Sequence, residues 1–436
     1  MIVVQFVVVL VFVFIGARLG GIGIGLAGGA GVIVLGLLGL EVDPATGVPW
    51  DVLGIIMCVI AAIAAMQAAG GLDYLVAKTE VVLRARPRNI TFLAPLVTYF
   101  MTVFAGTGQV AFSTLPVIAE VAKESDVRPS RPLSIAVVAS QMAIAASPIS
   151  AAVVAMAAVV EPLGVDYLTL LTVAGVSTLV GCMVGAVVAS RQGVELQDDP
   201  VYQERLAKGL VKRREERAGF VAKPRALLSL VIFAAALLVV VLYSTAVSDS
   251  VGLIEDPTIT RSGAIMTFML LAGLLIAVFC KIDVSTVITQ QTFRSGMSAA
   301  VCIIGVAWLG NTFVQGHTAQ IEELGGDIIQ RYPWMLAVVL LLASALLYSQ
   351  AATTIALMPV AAGMGVAATT LVASFPAVTG LFLLPTYTTV VAAIELDDTG
   401  TTRIGKYLFN HSFMVPGLVS VATAVAVGFG LAPLLI

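Results

Sequence analysis

The sequence predicts an all-α polytopic membrane protein made of two inverted repeats, with about ten transmembrane helices and two re-entrant helical hairpins. Three observations carry this: a mean hydropathy of +1.04, a charged fraction of 11% against 59% hydrophobic in 436 residues, and long charge-free runs between short charged ones. A soluble domain carries about 25% charged residues, so this composition cannot cover a water-facing surface. It excludes a cytosolic enzyme, a nucleic-acid binder and a secreted disulfide scaffold. The net charge of −3 is too small to imply a charged partner. Cys58, Cys182, Cys280 and Cys302 lie in apolar segments and read as small membrane hydrophobes. The start is apolar from Ile2, with no basic region or small-residue cleavage site, and is expected to be a retained first span.

A span needs roughly 20 mostly apolar residues. The charge-free runs are 1–17, 19–40, 52–72, 89–119, 132–160, 167–190, 226–248, 262–280, 295–321, 332–394 and 407–436. Run 332–394 has 63 residues, about 95 Å as helix, and must turn back inside the membrane. Run 89–119 is interrupted by Ala105-Gly106-Thr107-Gly108-Gln109, a poor centre for a lipid-facing helix.

Cytoplasmic segments are enriched in Lys and Arg. If 89–119 enters and leaves on one side, the segments at Arg18, 70–88, 120–131, 191–225, 281–294 and 395–406 share a side and hold 21 of the 23 Lys/Arg. A single crossing there would erase most of that bias. The re-entrant reading therefore puts both termini outside. Crossings are expected at about 2–17, 20–40, 52–69, 133–160, 167–190, 226–247, 262–280, 296–314, 369–394 and 412–434, with hairpins near 89–122 and 333–365.

Each half then has one order: three spans, an amphipathic segment, a hairpin, two spans. The first repeat is 1–190 and the second 226–436. The polar stretch 191–225, with Lys212-Arg213-Arg214, is a cytoplasmic basic linker and reads as a topology signal rather than a lipid site. Pro87 precedes Thr107 as Pro333 precedes Thr353. Thr114-Leu115-Pro116-Val117 echoes Ala356-Leu357-Met358-Pro359-Val360. Pro148 to Ala155 aligns without gaps on Pro385 to Ala392. Inverted repeats with helices broken at matching positions are the signature of a secondary transporter, with its site at the repeat interface near mid-membrane.

Four polar breaks could hold a substrate: Gly106-Thr107-Gly108-Gln109, Ser147-Pro148-Ile149-Ser150, Ser349-Gln350-Ala351-Ala352-Thr353-Thr354, and Pro385-Thr386-Tyr387-Thr388-Thr389. Non-helical backbone at membrane depth is tolerated only against protein or a water-filled cavity. Helices restarting there aim N–H groups and partial positive charge into it. No Arg, Lys or His lies within these motifs, so an anion would be held by dipoles and hydroxyls. Singly, each break could be a kink or a hydroxyl bonded to its own backbone. Four at repeat-matched positions favour binding.

Other features read as structure. Gly23-Ile24-Gly25-Leu26-Ala27-Gly28 mimics a dinucleotide fingerprint, but inside a span it is a small-residue packing face. Gln67 and Gln141 either pack helices or line the cavity. His317 and His411 lack ligand-spaced partners, so neither metal nor cofactor is expected. Asp397-Asp398-Thr399-Gly400-Thr401-Thr402-Arg403 reads as a capped cytoplasmic turn rather than a gate.

The chain resembles the anaerobic C4-dicarboxylate transporters of the Dcu family almost end to end. The likeness is carried by Gly16-Ala17-Arg18-Leu19-Gly20-Gly21-Ile22, Ala69-Gly70-Gly71-Leu72-Asp73-Tyr74-Leu75, the Gly106-Thr107-Gly108 tip and Ala146-Ser147-Pro148-Ile149-Ser150. Leu347-Tyr348-Ser349-Gln350-Ala351-Ala352-Thr353 and the run Asp397 to Lys406 extend it. The resemblance implies exchange of fumarate, succinate, malate and aspartate across the bacterial inner membrane, with ten spans and both ends periplasmic. Analogy with the wider superfamily implies an elevator mechanism and a homodimer. One departure is Thr353-Thr354-Ile355, less basic here than in the family, which bears on substrate preference.

The alternatives are an ion-coupled dicarboxylate symporter of the same fold, a passive anion channel and an intramembrane enzyme. A channel would tend to line its pore with Arg or Lys, absent from the breaks. An enzyme would need acid–base, nucleophilic or metal groups at depth, and run 332–394 has no Asp, Glu, His or Lys.

Overall fold

The computed structural model describes residues 1–19, 22–48, 50–211, 223–247, 253–254, 257–347, 349–385, 387–405 and 410–436. Gly20, Gly21, Tyr348, Thr386, Lys406 and the Lys212-Arg213-Arg214 cluster lie outside the described residues. Among the described residues the structure is helical apart from one bridge between Ile404 and His411.

Every predicted crossing coincides with a helix. Those of the first half are Ile2–Leu19, Gly23–Leu37, Trp50–Ala68, a broken helix (Ser130–Met142, then Ala151–Val160) and Tyr167–Ser190. Those of the second half are Ala226–Ala246, Arg261–Cys280, Gln291–Arg331, a second broken helix (Ala368–Ser374 continuing as 3-10 through Phe375–Phe382, then Thr388–Leu396) and Met414–Leu435. Among the described residues, six helices are long and apolar enough to cross a membrane unbroken, and the bent pair at 53–85 adds a seventh. Gly25–Leu37 and Ala368–Phe382 are apolar but shorter.

Two differences from the expected boundaries have local causes. Helix Gln291–Arg331 runs past the expected end at 314 and kinks at His317 (φ −132°, ψ 17°) instead of stopping. There the imidazole Nε2 meets Gln5 Oε1 at 2.6 Å, while Gln5 Nε2 donates to the Leu38 carbonyl at 3.0 Å. The span from Trp50 bends 69° into the amphipathic helix Gly71–Ala85, at Gly70 (φ +83°).

Two helix–turn–helix pairs occupy the stretches expected as hairpins. The first is Ile90–Ala105 and Ala111–Glu124; the second is Met335–Leu347 and Gln350–Gly363. The first turns at Gly106, whose left-handed φ of +68° caps the arm through its N–H to the Thr102 carbonyl at 2.8 Å, a conformation that costs glycine nothing. The second restarts at extended Ser349, whose hydroxyl accepts from Ala352 N at 3.1 Å.

The buried core has two main bodies, each drawn from both halves, and two small clusters, one joining Val32 and Leu35 to Leu309 and Phe313 and one joining Leu72 to Met101, Ala105 and Val110. One hydrophobic cluster mixes residues of 83–190 with residues of 336–432. The other mixes 48–69 and part of the first broken helix with 233–307 and Ile355. Pairings recur with the halves exchanged. Each hairpin's first arm packs on the first arm of its own half's broken helix; its second arm packs on the second arm of the other half's. Gly23–Leu37 lies on Gln291–Arg331, as Arg261–Cys280 lies on Trp50–Ala68. Lipid removes the hydrophobic drive between helices, so close backbone contact matters most. A Cβ on Gly305 would lie 1.8 Å from the Gly25 carbonyl oxygen, and one on Gly25 would lie 2.2 Å from that of Val301. The glycine run is a packing face.

Charged groups tie the connecting segments. Arg84 meets Glu80, Glu120 and Glu124 at 2.7–2.9 Å, and Lys123 meets Asp398 at 2.8 Å. Buried Asp397 accepts from Thr402 N at 2.6 Å, Thr401 Oγ1 at 2.8 Å, Thr399 N at 3.0 Å and the Thr399 hydroxyl, so its loop is a capped turn.

Candidate functional site

The first hairpin is seated on the first break. Ser147 Oγ donates to the Val103 carbonyl at 2.6 Å, joining the two before the tip. A Cβ on Gly106 would come within 2.9 Å of Ile149 Cγ1, so only a bare backbone lets the tip lie against the Pro148-Ile149-Ser150 turn. Thr107 is half-buried and extended, and its hydroxyl accepts from Gln109 N at 3.3 Å. Its own O–H, and the side-chain amide of half-buried Gln109, have no partner among the described residues. Gly108 is buried with its Cα turned to Gln141 and the Ser140 carbonyl.

At the break itself Ser150 is a working N-cap. Its hydroxyl accepts from Val153 N at 3.2 Å and donates to the Ile144 carbonyl at 2.6 Å. Tyr167 O–H donates to the Pro148 carbonyl. Ser147, Pro148 and Ser150 are all buried.

The second hairpin repeats the device with different groups. Thr353 Oγ1 donates to the Ser349 carbonyl and Thr354 Oγ1 to the Gln350 carbonyl, both at 2.8 Å. Both threonines are fully buried, and Ser349 is half-buried. In the second break Pro385 is buried, Tyr387 half-buried, Thr388 exposed and Thr389 buried; Thr386 lies outside the described residues.

One buried chain joins two of these four breaks through the first arm of the first broken helix. Gln350 Nε2 donates to Gln141 Oε1 at 2.8 Å, and Gln141 Nε2 donates to Thr389 Oγ1 at 3.2 Å and Ser140 Oγ at 3.1 Å. Gln141 is fully buried and Gln350 is 6% exposed. The second hairpin tip, the first broken helix and the second broken helix therefore share one amide. The sequence flagged Gln141 but not this role; its signal was a primary amide inside a charge-free run, where an unpaired polar group is costly. Gln67, the other candidate, instead accepts from Thr292 N at 3.3 Å and caps Gln291–Arg331, so it packs helices.

In this conformation Ser147, Ser150, Thr353 and Thr354 give their protons to backbone carbonyls. The groups able to meet an anion are the Thr107 hydroxyl, the Gln109 amide and the backbone N–H groups of the restarted helices, whose first turns lack intrahelical acceptors.

The pattern of a family described as anaerobic C4-dicarboxylate membrane transporter matches residues 1–436. The C4-dicarboxylate transporter DcuA of Wolinella succinogenes is 57% identical over 436 residues, covering 100% of both chains. The DcuA of Escherichia coli K12 is 53% identical over 430 residues, covering 98% of both. Among solved structures, the Alcanivorax borkumensis YdaH transporter superposes with a TM-score of 0.52 at 14% identity, over 88% of this chain and 84% of that one, which speaks for the fold alone.

Proposed function

The chain belongs to the anaerobic C4-dicarboxylate membrane transporter family, and from that premise we propose that it exchanges C4-dicarboxylates across the bacterial inner membrane by alternating access. It is a multi-pass membrane transporter and not an enzyme. Fumarate, succinate, malate and aspartate are the substrates this reading takes, one entering as another leaves. Residues 1–190 and 226–436 are the inverted repeats, 191–225 the cytoplasmic linker, and both termini are periplasmic.

The observation that supports the reading is the Gln350–Gln141–Thr389 chain, which ties the second hairpin tip and the second break to the first broken helix. One carboxylate of the dianion lies at the Gly106-Thr107-Gly108-Gln109 tip beside Ser147, Pro148 and Ser150. The other lies at Ser349, Gln350, Thr353 and Thr354, with Pro385, Thr386, Tyr387, Thr388 and Thr389 opposite. With no cationic side chain in these motifs, affinity stays low enough for release at each turnover. The body holding both hairpins and both broken helices is the moving part, and the body of the first three helices of each half is the scaffold, elevator fashion. The exchanged pairings of the two halves support this division. A homodimer through the scaffold completes the proposal.

Counterflow tests it. Labelled aspartate or fumarate should enter proteoliposomes faster when they are preloaded with succinate. Equal initial rates into empty vesicles, with no gradient supplied, would overturn exchange.

A further inference from the structure

A cavity of about 690 Å³ lies beside residues 401–405 and 410–412, and none of the residues proposed to hold substrate lines it. It is walled by segments that the charge bias assigns to the cytoplasm: Arg128 before the first broken helix, Gln192 after Tyr167–Ser190, and Arg403, Asn410, His411 and Ser412 before the last helix.

The carboxylates nearby are already satisfied. Asp199 holds Arg128 with one oxygen and caps Val201 N at 2.9 Å and Tyr202 N at 3.2 Å with the other. Asp397 is saturated by its own threonines. Asp398 is held by Lys123, and Glu195 by Arg131 at 3.0 Å. Arg403 has no ion pair among the described residues, and it shares the cavity with the amides of Gln192 and Asn410 and the hydroxyl of Ser412. Donors and positive charge are in excess.

His411 adds an independent observation. It is 7% exposed, and its Nε2 faces the Leu383 carbonyl at 3.1 Å. A carbonyl only accepts, so Nε2 carries a hydrogen. Nδ1 is buried without a partner among the described residues. In the neutral ring Nδ1 is a bare lone pair; in the protonated ring it is a donor.

We infer that this cavity is a second, cytoplasmic binding site for a small oxyanion, and that the anion and a proton on His411 Nδ1 bind together. Arg403 supplies the standing charge, and the imidazolium the second. Among the described residues, the charged groups near His411 are Arg403 on its own loop, Asp397 at the loop's start, and the Arg128–Asp199 pair. Of the cations among these described residues only Arg403 is without an ion pair, so the anion answers a charge the fold leaves open. Leu383 lies two residues before Pro385 of the second break, so the state of His411 is transmitted to the backbone of that break. The shared chemistry is a negative oxygen group, supplied by a free cytoplasmic anion or by an anionic lipid phosphate.

The test is calorimetric titration of sulfate, which does not ionise between pH 6 and 8, into the full-length protein in zwitterionic nanodiscs. One site per chain is expected, tighter at pH 6 than at pH 8 by up to about tenfold per unit, with close to one proton taken up when buffers of different ionisation enthalpy are compared. His411→Gln keeps a donor for the Leu383 carbonyl and removes Nδ1, so its sulfate affinity should not change with pH. Arg403→Gln should weaken binding by about tenfold or more at both pH values. Nanodiscs with phosphatidylglycerol separate the sources: competition with sulfate identifies a lipid phosphate, and unchanged binding a free anion. No sulfate binding in zwitterionic nanodiscs, no proton uptake by the wild type, or a pH dependence that survives His411→Gln would overturn the inference.

Discussion

The side-chain amide of Gln350 donates to that of Gln141 at 2.8 Å across 209 residues of sequence, and both lie buried. Each amide fixes the other's orientation, and Gln141 spends its N–H groups on Thr389 and Ser140. A hairpin tip is thereby tied to two broken helices without a charged group.

Removing the hub should cost more than one bond. Gln141→Leu leaves the Gln350 donor and the Thr389 hydroxyl unpaired, at about 1–3 kcal/mol for each buried group. Thermal unfolding in nanodiscs should show a lower midpoint for Gln141→Leu and for Gln350→Leu. The double variant should lose less than the sum; strict additivity would mean that the two amides act apart.

Thr107 is the hydroxyl best placed to meet substrate, because its O–H is not spent on the backbone. Thr107→Val should raise the apparent KM for succinate by roughly 10- to 100-fold, since one hydrogen bond to a charged acceptor is worth roughly 1.5–3 kcal/mol. Thr353→Val deletes a bond to the Ser349 carbonyl and should show mainly in stability. Wild-type KM in Thr107→Val would move the site to Gln109 and the backbone.

If the first hairpin is re-entrant, both its ends face one side. In a background without the four native cysteines, Asn89→Cys and Ser125→Cys should both react with an impermeant maleimide only from the cytoplasm. Labelling from opposite sides would make 89–119 a single crossing.

The Gly25–Gly305 approach leaves no room for a side chain. Gly305→Val must push two scaffold helices apart, and overpacking of this kind costs about 1–3 kcal/mol or more. Gly430→Ala, where an added Cβ meets nothing within 4 Å, is the control and should be neutral or slightly stabilising. Equal midpoints would refute the close packing.

His411 makes stability depend on pH. Burial holds this loop imidazole below its ordinary value of 6.5, partly offset by its bond to the Leu383 carbonyl. Below pH 6.5 the unfolded chain takes up the proton first, so stability is full above 6.5 and is lost as pH falls towards the lowered value. The wild-type melting midpoint should drop over that window in sulfate-free buffer, and His411→Gln should lose less.

Backbone interruptions were legible in the sequence because their causes are local. Gly106-Thr107-Gly108 cannot continue a lipid-facing helix, Pro148 and Pro385 each remove a donor, and Ser349 caps the second arm of its hairpin. The lone amide of Gln141 was visible as an anomaly. Its partners were not, since Gln350 and Thr389 lie 209 and 248 residues away and no periodicity links them. Nor could the residues tell a hydroxyl that bonds its own carbonyl, as Thr354 does, from one left open, as at Thr107: side-chain rotamer and tip conformation decide that. The kink at His317 was hidden for the same reason, depending on Gln5 at the opposite end of the chain.

The interleaving of the two bodies sets a schedule for synthesis. Helices of 83–190 reach their packing partners from the second half only after residue 336 emerges, and at about 5–20 residues per second that is a wait of roughly 7–30 s. For that interval the first half sits in the bilayer with polar breaks and an unanswered Gln141, the exposure that membrane insertases and quality-control proteases recognise. A ribosome stall in the linker would prolong it, and fragments 1–210 and 211–436 made from separate messages should still find one another, because Gly23–Leu37 on Gln291–Arg331, Trp50–Ala68 on Arg261–Cys280 and Tyr167–Ser190 on Met414–Leu435 all pack across that division.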